Sequence, residues 1–309
     1  MIDFKSTGII LNPMIDPLCR RIIEELKINC VVETGTDKGE TVAVVSRWFS
    51  EIDPDFGTIA GGVTTGARSY HLRSEPIVYP VFSSSRSSRY QIHSVDLDPH
   101  SYQSAQNNFK SNGNIHLYQS SSEKFLESFS ASQQSSRGNQ YLFFLDAHWG
   151  SYWPLRDEIK MIRTLNQYLI VIDDFFVPGK SNPSSPHGAF GFDVYQGRIL
   201  NWNYIGDVFA DTRARVFYPR RPNRDGRGWV MIAHGYSQEE LKFLESLDVF
   251  EKDQNDPAHM ASVKVPLVSR LDGRNLLKTL IPVSLLRSLH RVYEKSMQAK
   301  DKAYEQPSV

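Results

Sequence analysis

The chain has 309 residues, and its 35 Lys and Arg residues balance its 35 Asp and Glu residues, so the formal net charge is zero. This length accommodates one large α/β domain with an appendage, and the balanced charge argues against a protein that coats nucleic acid. Cys19 and Cys30 are too few for a disulfide framework. The sequence has neither a signal-peptide pattern nor an apolar run of about 18 residues, so we expect a cytoplasmic protein without a membrane span.

Helical and extended patterns alternate along most of the chain. Helices are predicted over 15–28, 39–49, 99–110, 123–129, 154–165 and 193–210, and strands over 30–32, 92–98, 115–118, 141–145, 169–172, 215–218 and 229–233. Strands that alternate with helices and read as continuous apolar runs are typical of a parallel sheet covered on both faces. We therefore predict an α/β fold with a doubly wound, mostly parallel sheet of seven strands, closed by the antiparallel hairpin of the last two strands.

Two segments depart from this alternation. Residues 51–90 are rich in Gly, Ser and Pro and are too long for an ordinary loop, so they are predicted to be an insertion, with a strand near 77–79. Residues 236–309 are predicted to be a helical C-terminal appendage to a domain spanning 1–235. Its apolar face, along 276–293, suggests a packing helix through which a homodimer could form, with a membrane-surface helix as the alternative.

The first candidate site is the turn after the first strand. Gly35 allows a sharp turn there, and Gly39 allows close packing at the start of the next helix, whose backbone N–H groups favour negative groups. The middle glycine of a dinucleotide-binding motif is absent, and the carboxylate of Glu33 suits a cationic amino group better than a pyrophosphate. The turn thus favours a sulfonium amino acid over NAD, although it could also be a turn that binds nothing.

Polar residues follow the next two strands. Asp96 ends the second strand, where an acid can hydrogen-bond both hydroxyls of a ribose, and Asp98 is expected to cap the following helix. Ser120, Ser121 and Ser122 follow the third strand and could bind the edge of an adenine. The alternatives are that both acids cap the helix and that the serines merely start one.

Three acids end two further strands that should be neighbours. Asp146 ends one, and Asp173 and Asp174 end the other. Neighbouring parallel strands lie about 4.8 Å apart, so the three carboxylates should converge and repel one another unless a cation joins them. Oxygen ligands favour Mg²⁺. In the alternative, each acid caps its own helix or turn.

In these segments the chain resembles class I S-adenosylmethionine-dependent methyltransferases, and among them the metal-dependent O-methyltransferases of the catechol and sugar types. The resembling motifs are ETGTDKGET at 33–41, the serines at 120–122, LDAHW at 145–149 and IDDFFVPG at 172–179. The resemblance implies S-adenosylmethionine as cofactor, Mg²⁺ held by Asp146, Asp173 and Asp174, and a hydroxyl of a small molecule or sugar as acceptor. The cofactor-binding residues it implies are Glu33, Gly35, Thr36, Gly39, Thr41, Asp96, Ser121, Ser122 and Asp146.

One position departs from the family pattern. The catechol enzymes have a lysine base just after the tryptophan, where this chain has Gly150. His148 is the nearest titratable candidate for a catalytic base, although the matching family histidine packs beside the cofactor, and His187 is a weaker candidate. Two other functions therefore stay open: a cofactor-binding or interaction module without catalysis, and a metal-dependent hydroxylase-like relative.

Overall fold

The computed structural model describes residues 16–37, 39–65, 77–84, 86–134, 138–147, 152–180, 189–195, 198–223, 226–247 and 249–252. The helices in this part of the chain are α1 (Asp16–Glu25), α2 (Glu40–Ile52), α3 (Pro99–Phe109), α4 (Ser122–Gln133), α5 (Leu155–Ile162), α6 (Trp202–Ile205) and α7 (Gln238–Glu245), with a 3-10 turn at Gly206–Phe209. The strands are β1 (Cys30–Thr34), β2 (Thr58–Thr65), β3 (Ile77–Ser84), β4 (Gln91–Asp96), β5 (Ile115–Gln119), β6 (Tyr141–Leu145), β7 (Tyr168–Asp173), β8 (Val194–Tyr195), β9 (Arg198–Ile199), β10 (Arg215–Pro219), β11 (Trp229–His234) and β12 (Val249–Lys252).

The central sheet has the spatial order β12-β10-β11-β7-β6-β1-β4-β5. The strands from β7 to β5 pair in parallel, whereas β11, β10 and β12 pair antiparallel at one end. The predicted doubly wound, mostly parallel α/β fold with a closing hairpin is confirmed, and it is the Rossmann-like fold that the resemblance implied. Because the order reverses at β1, the carboxyl ends of β1 and its neighbours form the crevice where ligands bind in such sheets.

The central strands are buried on both faces, which explains their continuous apolar sequences. Every residue of β1, β6 and β7 is buried. Successive side chains point to opposite faces, so Val31 belongs to one hydrophobic cluster and Val32 to the other. Helices α1, α2, α3 and α7 contribute apolar side chains to the first cluster, and α4, α5 and α6 contribute to the second. The sheet is therefore a middle layer between two layers of helices.

The insertion contains an antiparallel pair of strands, β2 and β3. The strand predicted near 77–79 is confirmed as the start of β3. Residues 66–76, between the two strands, lie outside the described residues.

The helix predicted over 193–210 is wrong for its first half and confirmed only over 202–209. Strands β8 and β9 form a small hairpin there, closed by the backbone hydrogen bond from Leu200 N to Asp193 O at 2.9 Å. Helical structure begins at Trp202, and Gly206 then packs against the Trp202 indole so closely that a Cβ would lie 2.6 Å from its Nε1. Helical structure is thus confined to the second half of the predicted segment.

The central sheet has eight strands rather than the seven predicted, because β12 pairs with β10 beyond residue 235. The predicted apolar helix face along 276–293 lies outside the described residues, so a dimer through it stays a prediction, as does the division of the chain at residue 235. Among the described helices, none is long and apolar enough to cross a membrane.

Replacement of Gly39 is predicted to destabilise the fold. Gly39 precedes α2 with φ +81°, and a Cβ there would lie 2.7 Å from Cε2 of Phe109 in α3. Left-handed backbone together with this overlap should lower the free energy of unfolding of Gly39→Ala by about 1–3 kcal/mol. Urea unfolding would measure the loss. Gly113→Ala is the matched control, because nothing lies within 4 Å of a Cβ there, and equal stability of the two variants would contradict the prediction.

Candidate functional site

A cavity of about 340 Å³ opens at the carboxyl ends of the parallel strands. This volume is within the range of small-molecule sites. Its lining comes from the segments that follow β1, β4, β5 and β6: Gly35, Asp37, Val95, Asp96, Leu97, Asp98, Ser120, Ser121, Ser122, Glu123, Asp146, Ala147, Tyr152 and Pro154. Five residues predicted to bind the cofactor, Gly35, Asp96, Ser121, Ser122 and Asp146, are therefore brought together around one space.

Glu33 lies in β1 and is 5% exposed; it does not line the cavity itself but stands two positions before Gly35, which does. The Ser94 hydroxyl donates to Glu33 Oε2 at 2.6 Å, and the hydroxyls of Ser94 and Thr36 are 2.6 Å apart. Burial raises the pKa of Glu33 to about 8. Ser94 and Thr41 hydroxyls oppose this rise, while the charges of Asp146 and Asp96 add to it. Glu33 is thus a buried acid that lacks a cationic partner among the described residues.

Asp96 is held at the cavity wall by two backbone amides. Asp37 N donates to its Oδ2 and Asp98 N donates to its Oδ1, both at 2.8 Å. Burial raises its pKa despite these two bonds. Each carboxylate oxygen keeps a further lone pair, so the oriented carboxylate can accept hydrogen bonds from a ligand diol. Asp98 caps α3 as predicted, because its Oδ1 accepts from His100 N at 3.0 Å.

The two glycines of the first motif have different surroundings. Gly35 lines the cavity with φ +91°, and a Cβ there would lie 3.0 Å from the Asp146 carbonyl oxygen. The end of β1 therefore turns against the end of β6. Gly39 does not line the cavity and packs instead on Phe109, so its requirement for glycine arises from helix packing.

A second, smaller pocket of about 30 Å³ adjoins the first and has room for about one water molecule. Asp146, Asp173 and Asp174 all line it, so the predicted convergence of these acids occurs. Asp146 lines both spaces. Within the described ranges, however, no group of three His, Cys, Asp or Glu residues could hold a metal ion as arranged.

Arg227 supplies positive charge at this pocket. Its Nε donates to Asp174 Oδ1 and its Nη2 donates to Asp193 Oδ1. Asp173 is 8% exposed, and its pKa is raised well above the ordinary value by burial and by the charges of Asp174 and Asp146. Arg227 and the amide of Asp174 partly offset this rise. The acids at the end of β7 are therefore only partly compensated.

Glu158 of α5 also lines the smaller pocket, and it is completely buried. Its pKa is raised to about 8, mainly by burial and in smaller part by the charges of Glu123 and Asp146. The hydroxyls of Ser122 and Thr34 lie close enough to oppose the rise, but neither carboxylate oxygen makes a well-formed hydrogen bond to a described residue. Glu158 is therefore an uncompensated acid beneath the site.

The sequence prediction missed several site residues. Ser94 could have been found from register, because Glu33 pairs with it across β1 and β4. Tyr152, whose hydroxyl donates to Glu123 Oε1 at 2.7 Å, has no motif around it that indicates a cavity wall. Arg227 and Glu158 also lacked a signal, because each resembles a surface charge in the sequence. The candidate bases His148 and His187 lie outside the described residues, so their roles stay predictions.

No family model matches the chain, and no curated protein is similar to it at a significant level. Solved structures do resemble it. An O-methyltransferase from Bacillus cereus, in complex with S-adenosylhomocysteine, is 11% identical over 72% of this chain and 81% of its own, with a TM-score of 0.43. The O-methyltransferase TomG from Streptomyces achromogenes, in complex with S-adenosylmethionine, is 10% identical over 71% of this chain and 78% of its own, with a TM-score of 0.40.

These similarities are too distant to carry an argument about activity. The fold is established by the strand order and pairing of the chain itself. The features of the chain that bear on its function are the two adjoining pockets and the acids around them.

The buried carboxyl group of Glu158 makes stability depend on pH. Because its pKa is raised from about 4.5 to about 8, the folded state binds a proton that the unfolded state releases, so the folded state loses stability as pH rises between these values. Glu158→Gln removes this loss. We expect the free energy of unfolding of Glu158→Gln minus that of the parent protein to increase by about 1–3 kcal/mol between pH 5 and pH 8.

Urea unfolding at several pH values would measure this difference. Glu33 has a similarly raised pKa, but it is present in both proteins and its contribution cancels. Glu127→Gln, an exposed change in α4, controls for the loss of a carboxylate. A difference between Glu158→Gln and the parent that does not vary with pH would contradict the prediction.

Proposed function

We propose that this protein transfers a methyl group from S-adenosylmethionine to a hydroxyl oxygen of a small molecule or sugar. The observation that carries the proposal is Glu33, a buried acid without a cationic partner among the described residues, two positions before Gly35 in the lining of a cavity of ligand size. A cation at Glu33 would relieve the cost of ionising a buried acid. The amino group of S-adenosylmethionine is such a cation.

The described residues suit the other parts of this cofactor. Asp96, fixed by two amides, is placed to accept the ribose hydroxyls, and Leu97 beside it provides an apolar wall. Ser121 and Ser122, which follow the neighbouring strand β5, supply hydroxyls in the same lining for an adenine edge. Thr36 and Thr41 act indirectly, since Thr36 bonds Ser94 and the Thr41 hydroxyl lowers the pKa of Glu33. Bound S-adenosylmethionine would supply a methyl group already activated by its sulfonium charge.

Asp146 marks where the acceptor should lie, because it lines both the large cavity and the smaller acid pocket. Asp146, Asp173 and Asp174 can orient an acceptor through hydrogen bonds to its hydroxyl groups, which places one oxygen toward the cofactor side. As the new carbon–oxygen bond forms and the carbon–sulfur bond breaks, the hydroxyl proton must pass to a base. The chain contributes position above all, and His148 stays the candidate base.

The magnesium ion that the resemblance implies is less well supported. Carboxylate oxygens are suitable ligands for Mg²⁺, but Arg227 already binds Asp174, and the described acids form no three-ligand group as arranged. These residues do not suit the ion in this arrangement, so no step of the proposed reaction passes through a metal.

Methyl transfer itself can be tested with labelled S-adenosylmethionine and a panel of catechols, phenols and sugars. Label recovered in a methyl ether supports the proposal. Cofactor binding without transfer to any acceptor would favour the non-catalytic module, and products that gain oxygen would favour the hydroxylase-like alternative. The cytoplasmic location and the absence of a nucleic-acid partner belong to this proposal as well; the balanced charge of the chain supports only the second.

The affinity for S-adenosylmethionine is predicted to rise with pH. Because Glu33 has a pKa of about 8, it is mostly protonated below pH 7.5 and must lose its proton to pair with the cofactor ammonium. We expect the dissociation constant to fall by up to about tenfold per pH unit between pH 6 and 7.5. Calorimetry at each pH, in buffers of different ionisation enthalpy, should detect the affinity change and the released proton.

Glu33→Gln is the control for this dependence. It should weaken binding at pH 7.5 by about tenfold or more, and this difference from the parent protein should shrink toward pH 6, where the parent must first ionise Glu33. Parental affinity that does not change with pH, or a Gln variant that retains the full dependence, would exclude Glu33 as the ammonium partner.

A further inference from the structure

Arg227 is held between two segments of the acid pocket. Its side chain donates to Asp174, which follows β7, and to Asp193, which precedes β8. Asn223 makes two hydrogen bonds to the backbone of Arg227, one as acceptor and one as donor. Arg227 N donates to Asn223 Oδ1 at 2.8 Å, and Asn223 N donates to Arg227 O at 2.7 Å. Since Asn223 is 5% exposed, the arginine is anchored to the protein interior.

The surrounding backbone is shaped to accept this side chain. Gly191 N donates to Gly226 O at 2.7 Å, and Gly228 N donates to Gly191 O at 2.8 Å, so the Gly191 segment pairs with both neighbours of Arg227. A Cβ at position 191 would lie 2.9 Å from Arg227 Cγ. Glycine at this position therefore gives the arginine access to both acids.

The two acids are tied to each other as well. Asp193 N donates to the Asp174 carbonyl at 2.8 Å, and Asp174 N donates to Asp173 Oδ1 at 2.9 Å. Asp174 adopts φ +56°, an uncommon conformation for a residue other than glycine. The end of β7 is thus turned so that one guanidinium group reaches carboxylates from two segments.

Charge explains why a cation is needed at this position. Asp146, Asp173, Asp174 and Asp193 all line the pocket of about 30 Å³, and without a cation their repulsion would oppose folding. A guanidinium group offers several N–H donors in a fixed plane, so it can bind two carboxylates at once. A divalent ion would instead need open carboxylate oxygens, and Arg227 already binds Asp174 Oδ1.

We propose that Arg227 supplies the positive charge that the resemblance assigns to Mg²⁺, and that the acid pocket therefore operates without a divalent ion. This inference rests on the proposed methyl transfer, in which Arg227 acts as a positioning residue. It holds Asp174 and Asp193 in place on the acceptor side of Asp146. The acceptor is then oriented by hydrogen bonds to carboxylates rather than by coordination.

The test is a titration with Mn²⁺ alone, in which calorimetry and electron paramagnetic resonance detect binding. The parent protein should show no specific Mn²⁺ binding up to about 1 mM. Arg227→Met should gain a Mn²⁺ site at least about tenfold tighter than this limit, because Asp173, Asp174 and Asp193 lose their cation. Asp174→Asn introduced into Arg227→Met should remove the gained site, and Arg227→Lys, which keeps the charge, should not gain one.

A specific Mn²⁺ site in the parent protein that Asp174→Asn abolishes would overturn the inference. A folded Arg227→Met variant without gained Mn²⁺ binding would also overturn it, because Arg227 would then only support the loops. If Arg227→Met does not fold, as judged by circular dichroism, Arg227→Gln replaces it in the same titration. S-adenosylmethionine titrated into the same samples separates the two proposals, since its failure to bind the parent protein contradicts the proposed function and not the role of Arg227.

Discussion

Repulsion among carboxyl groups at one edge of the sheet is the constraint on which the rest of the site depends. Parallel strands bring their carboxyl ends together at spacings of about 4.8 Å, so acids at those ends cannot avoid one another. The buried or partly buried acids at or beneath this edge include Glu33, Asp96, Asp146, Glu158, Asp173 and Asp174.

The protein compensates these acids in different ways along the edge. At the β1 and β4 end, Asp96 accepts hydrogen bonds from two backbone amides, and burial raises the pKa of Glu33 to about 8. At the β7 end, Arg227 provides a permanent cation for Asp174. The first end therefore has the properties of a binding site for a charged ligand, whereas the second is already neutralised in part. Asp146 lies between them and lines both spaces.

Much of the fold was predictable, because the continuous apolar runs of β1, β6 and β7 could only be buried strands and the Gly35 turn followed the first of them. The convergence of Asp146, Asp173 and Asp174 followed from parallel pairing alone. The compensating groups were not predictable in this way. Arg227 is 53 positions from Asp174 and reaches it only because β11 pairs with β7, and a sequence pattern does not carry that long-range pairing.

The segment around 193–210 shows the same limit. Its apolar spacing is compatible with a helix, but the segment begins with a hairpin, in which the Asp193 side chain accepts from Arg227 and the Asp193 carbonyl accepts from Leu200 N. Glu158 gives the converse case. In sequence it resembles a solvated helix residue, yet the packing of α5 on the sheet buries it completely. Long-range contacts thus determined the features that local patterns missed.

The neutralisation at the β7 end has a consequence for a cationic methyl donor. Ionised carboxylates near a sulfonium stabilise it most before transfer, since its positive charge disappears as the methyl group moves. An uncompensated row of acids would therefore strengthen cofactor binding and slow the reaction. Arg227 binds Asp174 and Asp193, and the raised pKa of Glu158 favours its neutral form at neutral pH. Both features reduce the negative electrostatic potential around the smaller pocket. Under the proposed function, Glu33 would bind the ammonium group of the cofactor. The sulfonium charge would pass with the methyl group to the acceptor oxygen and would be lost when that oxygen releases its proton to a base.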